Sequence, residues 1–535
     1  MSFFQKIIAF FQAIWLFIVG LFGGASSPNP PKPTDPVTPA VVISYAFSDA
    51  TVKIQQTKDA GAAKSYTMFT AKNESEYCQV SFKASENING AKVTLTEFKN
   101  ANGDRIDTVF CEEYYVNTKD SNVCPDALIP VSVGQPYTFQ MTAQKNHPFF
   151  IGIKTSKNTV PGDYTAKLTL DYGGTETLQA EVAAHVWNFT LPDTPAMDTA
   201  MGLGRGNIAK AHHVAADSAK GKALYATYYE FLLAHKISAF EMPVDILSDE
   251  ADAYMSDPRC TSFGVPYSED DDELRSYAAK VESNPVWSEK SFLYPVDEPA
   301  SKEAYEEYDR VCTRLASVYP GYNMVTPFYV NTGEIDGEIK HAIDLQDGKS
   351  NIMCPETPLF DEAGFAARAY ERQANGDKLW WYVCAGPGPN SGYCNLFTQQ
   401  EGIRHRLLFW QQKQMNVTGF LYWSTTYWNE VGGDPWSSAR TTPWTNADTF
   451  GDGSLLYDGY HLGLDTPVSS LRLEAVTNGI EDYEYLTLAE QLLGKDYVDQ
   501  TIARLSTDLK HYTLSDALFA QVRTELGNAI EAATD

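Results

Sequence analysis

Ser291-Phe-Leu-Tyr-Pro-Val-Asp-Glu-Pro299 decides the reading of this chain. A short apolar and aromatic run reads as a buried strand. It ends in adjacent carboxylates, Asp297 and Glu298, and Pro299 then stops the ladder. A helical pattern from Ala300 to Tyr319 follows at once. Where strands and helices alternate around a barrel, the strand end is where reacting side chains gather.

The same rhythm extends on both sides. Strand-like runs occur at Met197–Gly204, Ile237–Val244, Cys260–Val265, Met324–Val330, Asn351–Cys354, Lys378–Cys384 and Val417–Trp423, with helical patterns between them. About eight strands in this order predict a (β/α)8 barrel over residues 196–468. A doubly wound open sheet is the alternative, but neither a GxGxxG nor a P-loop appears where it would need one. Before Leu191-Pro-Asp-Thr-Pro195, residues 41–190 show short alternating strands with turn punctuation, the pattern of an antiparallel β-sandwich. Residues 469–535 read as a helical C-terminal tail packed on the barrel, from the spacing of Leu471, Leu473, Val476, Ile480, Tyr483 and Leu486. The fold class is therefore multidomain α/β.

At the N-terminus, Lys6 precedes an apolar run from Ile7 to Gly24, followed by small residues. Residues 1–26 read as a signal peptide or a single membrane anchor, and 27–40, SPNPPKPTDPVTP and its neighbour, as a stiff Pro-rich linker. The expectation is a secreted or cell-surface protein.

Lys and Arg number 41 and Asp and Glu 69, a net charge of −28. That excludes a nucleic-acid footprint and argues against recruitment by anionic lipid. The 8 cysteines form no CxxC and no Cys/His set at zinc spacing, so neither metal nor cofactor is expected. They read mainly as free buried thiols, with local pairs Cys111/Cys124 and Cys384/Cys394 as the alternative. No GxSxG elbow appears.

The Asp297-Glu298 pair is left to carry chemistry. Adjacent strand residues point to opposite faces, so both reach one pocket only if the strand ends or bulges there. One carboxyl can stay protonated as a general acid while the other stays ionised, since neighbouring like charges push their pKa values apart. Capping of the following helix is the competing reading. Aromatics at other strand ends, Trp381 and Tyr382, then Tyr422, Trp423 and Trp428, are candidates to wall a sugar ring. By alternation Trp381 and Tyr382 cannot both face inward. Arg205 follows the first strand and is a candidate for a substrate hydroxyl or carboxylate. Glu356 is a candidate second pocket acid. His212-His213 reads as surface or packing, and Glu269-Asp-Asp-Asp-Glu273 as a solvated helix start.

The chain resembles glycoside hydrolase family 123. The resemblance rests on Tyr294-Pro-Val-Asp-Glu-Pro299, Trp380-Trp-Tyr382 with Gly386, Gly419-Phe-Leu-Tyr-Trp-Ser424, Gly451-Asp-Gly-Ser-Leu-Leu-Tyr457, Ser470-Leu-Arg-Leu-Glu-Ala475 and Asn478-Gly-Ile-Glu-Asp-Tyr-Glu-Tyr-Leu486. It covers roughly residues 41–490. It implies an exo-acting, retaining β-N-acetylgalactosaminidase working on a glycan or glycoconjugate. The substrate's own 2-acetamido oxygen then serves as nucleophile, an exception to the two-carboxylate rule. Glu298 becomes the general acid and base, and Asp297 the group that holds the acetamido N–H. Position alone adds Tyr382 for the acetamido carbonyl and Trp423 for its methyl. Two other readings stand beside it: a glycosidase for a non-acetamido sugar, with Glu356 as nucleophile, and a carbohydrate-binding surface protein without turnover.

Overall fold

The computed structural model describes residues 41–534 except 119–121, 175, 336, 429–433, 438 and 440–447. The expected signal or anchor segment and the Pro-rich linker lie outside the described residues. Residues 43–535 form one compact unit. Among the described residues, no helix is long and apolar enough to cross a membrane.

The N-terminal part is β-rich. Its strands are β1 (Ile43–Asp49), β2 (Thr67–Lys72), β3 (Ser75–Ala84), β4 (Ile88–Leu95), β5 (Phe98–Lys99) and β6 (Arg105–Asn117). They continue with β7 (Val123–Pro130), β8 (Tyr137–Met141), β9 (Asn146–Lys154), β10 (Gly162–Gly173) and β11 (Glu176–Thr190). The order β1-β3-β9-β6 on one side passes through β5 to β10-β11-β2 on the other. Alternation is clean in β10, where Tyr164, Ala166, Leu168 and Leu170 are buried and Thr165 and Lys167 are not. Period two is what a half-buried antiparallel strand requires. The ladders are antiparallel with one departure: β2 joins β11 in parallel, Ala183 opposite Thr67. A chain that returns to the edge after a long excursion is free to pair in that direction.

After Thr190 the pairing becomes parallel. The strands are β12 (Asp198–Met201), β13 (Phe263–Gly264), β14 (Ser291–Phe292) and β15 (Val325–Phe328). After an antiparallel hairpin, β16 (Thr332–Ile335) and β17 (Glu338–His341), come β18 (Ile352–Pro355), β19 (Lys378–Val383) and β20 (Gly419–Tyr422). β20 pairs with β12, β12 meets Ala239 through a single bridge, and Phe240 O accepts from Gly264 N in β13 at 2.8 Å. β13 pairs with β14, Leu293 bridges to Met324, and β15, β18, β19 and β20 pair in sequence. The expected second and third strands shrink to a bridge and to two residues.

Helices follow these strands. They are α1 (Arg205–Ala211), α2 (Ala219–Ala234), α3 (Ala251–Ser256), α4 (Asp271–Glu282), α5 (Pro285–Lys290), α6 (Lys302–Val318), α7 (Ala342–Leu345), α8 (Phe365–Ala374) and α9 (Gly402–Gln414). Their starts are written locally. Ser218 Oγ accepts from Gly221 N, Asp270 from Asp272 and Glu273 N, and Ser301 Oγ from Ala304 N. The acidic run 269–273 is thus a helix start.

Alternation sorts the parallel strands into two faces. Ala200, Phe292, Val325, Ile352, Cys354, Trp380, Tyr382 and Leu421 pack together, joined by Phe240, Tyr294 and Cys384. Their neighbours Met201, Leu293, Met353, Trp381, Phe420 and Tyr422 belong instead to the large core shared with the helices.

The C-terminus is helical: α10 (Leu471–Leu493), α11 (Lys495–Ala503) and α12 (Asp516–Thr534). The expected helical C-terminal region is present, and α10 is its most deeply buried part. Every residue from Leu471 to Leu486 is buried, because the helix packs at once against α9, the β-rich part and α12. A helix buried all round carries no one-sided stripe.

Candidate active site

The strand end at β14 solves the geometric problem of adjacent acids by breaking the strand. β14 ends at Phe292, and Glu298 sits in the left-handed region at φ +43°. A non-glycine residue held there is sparsely populated and needs its surroundings to keep it. The break gives each carboxyl its own tyrosine. Tyr294 OH donates to Asp297 Oδ1 at 2.6 Å, and Tyr382 OH donates to Glu298 Oε1. Tyr382 reaches from β19, so the pair is braced across the inward face.

The two environments differ. Asp297 is exposed, whereas Glu298 and Glu356 are half-buried. Burial pushes the Glu298 carboxyl above its ordinary range; Tyr382 opposes this, and the charge of Asp297 adds to it. Glu356 follows β18 and pairs with Tyr382 through a parallel bridge. Burial and then the Glu298 charge push it up to about 7. The thiols of Cys354 and Cys384 beside these acids are pushed up by burial.

A further acid escaped the sequence reading. Asp452 is buried in the Gly451-Asp-Gly453 turn, both of whose glycines have positive φ. Its Oδ1 accepts from Trp423 Nε1 at 3.1 Å and Tyr422 OH at 3.2 Å. Burial pushes it up to about 7. The turn glycines around it were the available signal.

Several aromatic expectations are corrected. Trp381 points to the helices: its Nε1 donates to Gln412 Oε1 at 3.0 Å within the core. Tyr422 lies on the same outward face, tied to Asp452. Trp428 is buried, its Nε1 donating to Leu456 O at 2.8 Å and its ring 6.1 Å from Tyr228. These three are packing, which is the ordinary fate of large aromatics in a core. Trp423 is partly buried against the same core, 4.8 Å from the Tyr427 ring. Of the aromatic candidates, Tyr382 touches the acid pair, its hydroxyl bonded to Glu298 rather than free for an acetamido carbonyl.

Arg205 is held by Tyr225 and Met242. Its guanidinium lies 3.9 Å over the Tyr225 ring and donates to Met242 O at 3.3 Å. It lines a cavity of about 670 Å³ with Asp217, Glu241, Asp245 and Tyr277. His212 is buried with its Nε2 2.9 Å from Tyr228 OH, which is packing. The cysteines are free thiols. Among the described residues, Asp434, Asp458 and His461 bring three potential ligand atoms within 4.8 Å of one another. His461 Nδ1 already pairs with Asp458 at 2.8 Å.

Residues 283–489 match the family model described as "Glycoside hydrolase 123, catalytic domain". No curated protein matches the chain. Among solved structures it is similar to a family 123 glycoside hydrolase from Clostridium perfringens, studied for glycolipid glycan hydrolysis. The TM-score is 0.67 at 13% identity, over 92% of this chain and 98% of that one, a likeness of fold. A putative β-galactosidase from Bacteroides fragilis follows at 9% identity and a TM-score of 0.27, over 72% of this chain and 58% of that one. A Bacteroides ovatus xyloglucanase stands at 8% identity and 0.25, over 78% and 98%.

Proposed function

We propose, from the match of residues 283–489 to the catalytic-domain model of glycoside hydrolase family 123, that the chain releases terminal β-linked N-acetylgalactosamine with retention, the acetamido group acting as nucleophile. The observation that carries this is the unequal setting of the adjacent acids: Glu298 half-buried under Tyr382, Asp297 exposed beside Tyr294. A two-carboxylate mechanism needs acids on opposite sides of the scissile bond. Neighbours on one chain suit a mechanism in which only one of them handles the leaving group.

The steps follow from these settings. The acetamido oxygen attacks the anomeric carbon as Glu298 gives its proton to the leaving oxygen. Asp297 accepts the acetamido N–H and stabilises the positive charge that develops. Tyr294 fixes the Asp297 carboxylate. Glu298, now ionised, takes a proton from water as that water opens the oxazolinium ring. Tyr382 donates to the Glu298 carboxylate in this half.

The parallel ring of strands supports a (β/α)8 barrel over residues 196–468, with 41–190 as a β-sandwich and 469–535 as a helical region. We read residues 1–26 as an export signal or anchor and 27–40 as its spacer, which places the enzyme outside the cell or on its surface. Trp423 is retained as a wall of the sugar site.

Aryl β-glycosides of N-acetylgalactosamine, N-acetylglucosamine and galactose test the reading. Only the first is expected to be cleaved. Glu298→Gln is expected to lose about 10²–10⁴-fold on substrates with poor leaving groups and less on activated ones. Asp297→Asn slows both classes, because it acts at ring closure. Equal losses in Glu298→Gln on both classes, or unchanged rates in Asp297→Asn, remove the assigned roles.

A further inference from the structure

Glu356 stands at the strand end between residues already placed in the site. Its N–H donates to Phe328 O at 2.9 Å, and its backbone bridges to Tyr382, whose hydroxyl holds Glu298. A Cβ on Gly386 would collide with Glu356 Oε1, so the carboxyl runs along bare backbone in the loop after β19. Glycine at 386 is what leaves it room. No hydrogen bond from a described residue ends on that carboxyl. Its oxygens are not sealed from solvent, so a hydroxyl of a bound sugar can reach them.

The groups that face it are Glu298, the Tyr382 hydroxyl and the Cys384 thiol. None of these is a cation. Burial and the Glu298 charge hold Glu356 up to about 7. An acid kept protonated in this way serves as a hydrogen-bond donor. It is poorly suited to the nucleophile's part, which requires the carboxylate.

We infer that Glu356 is a specificity-determining residue of this site, its carboxylic O–H donating to a hydroxyl of the bound sugar. This rests on the glycosidase reading above. A sugar hydroxyl both donates and accepts, and a carboxylic acid can meet it with one donor and one acceptor. The ionised form can only accept, and it also repels Glu298. Sugar therefore binds the protonated form more tightly. Above about pH 7 each binding event takes up a proton, and affinity falls as pH rises.

The test is calorimetric titration of the full chain with N-acetylgalactosamine, N-acetylglucosamine and galactose, at about pH 6 and about pH 8, in buffers of different ionisation heat. Proton uptake at the higher pH is expected in the unsubstituted chain. Glu356→Gln keeps an N–H donor but cannot titrate, so the part of the uptake that Glu356 supplies is lost and the fall of affinity with pH becomes shallower. Glu356→Ala loses the donor and binds about 10-fold more weakly at the lower pH. Uptake in Glu356→Gln equal to that of the unsubstituted chain overturns the inference, whatever the hydrolysis results. No binding of any of the three sugars overturns it as well. Glu356-linked binding of galactose, together with cleavage of galactosides alone, overturns the acetamido substrate and upholds the inference.

Discussion

Tyr382 links the geometry of one residue to a measurable pH limb. Its hydroxyl donates to Glu298 and favours the ionised carboxyl, while burial, the larger effect, favours the neutral one. A general acid is active below its pKa and lost as pH rises through it. Tyr382→Phe removes the one influence that lowers the Glu298 pKa. The alkaline limb of kcat/KM is therefore expected to move to higher pH, while the rate at the acid plateau falls as the carboxyl loses its brace. A limb that stays fixed or moves to lower pH contradicts the assigned contact. The acid pair itself was legible in the sequence, since a strand end before Pro299 is written in Ser291–Pro299. The left-handed turn at Glu298 was not, because φ at a non-glycine position is set by its surroundings rather than by residue type. Asp452 was missed for a related reason: its partners Tyr422 and Trp423 come from a different strand end.

Elements carry their own test in the alternation of β19 and β20. Period two separates Trp381 from Tyr382, and the structure sends the first to the helices and the second inward. What the sequence could not state is which face carries the chemistry, since both faces of a parallel sheet are apolar. Gly419 opens β20 directly against the Trp380 indole, where a Cβ would overlap the ring. Trp380 is itself fixed, its Nε1 donating to Asp198 Oδ2 at 3.2 Å. Gly419→Ala must displace a held side chain, and overpacking of this kind costs about 1–3 kcal/mol. Denaturant unfolding is expected to show a lower midpoint with an unchanged slope. An unshifted midpoint means that the indole yields freely and the inner face is looser than its packing implies. The motif around Asn478–Leu486 also changes meaning at this scale. Asp482 accepts from Arg406, Arg523 and Trp410, so this stretch is scaffold rather than site.

The molecule as a whole is pinned by buried charges that join the β-rich part to the helices. Arg472 on α10 donates through Nε to Asp126 Oδ1 on β7 at 2.9 Å, and through Nη2 to Asp126 Oδ2 at 2.8 Å. Tyr457 OH adds a bond to Asp126 at 2.6 Å. Glu74 and Glu76 on β2–β3 and its connection meet Arg523 and Arg406 in the same way. Removing one partner of such a pair strands a charge out of water, a cost of about 3–5 kcal/mol. Burial alone would raise the Asp126 pKa, but Arg472 outweighs it and holds the carboxyl below its ordinary value. A depressed folded pKa contributes stability above the unfolded value of about 4, and that contribution is lost as pH falls through the folded pKa. Arg472→Met is therefore expected to lose most at neutral pH, where Asp126 would be charged and unpaired. Without the guanidinium, burial pushes the Asp126 pKa up, and protonation relieves the penalty. The stability gap between the variant and the unsubstituted chain should narrow as pH falls through the raised Asp126 pKa of the variant, above about pH 4, and narrow further as it falls through the depressed pKa of the unsubstituted chain. Chemical unfolding at neutral and acid pH measures both gaps, and a gap that stays constant or widens in acid would mean that Arg472 holds the two parts together by packing rather than by charge.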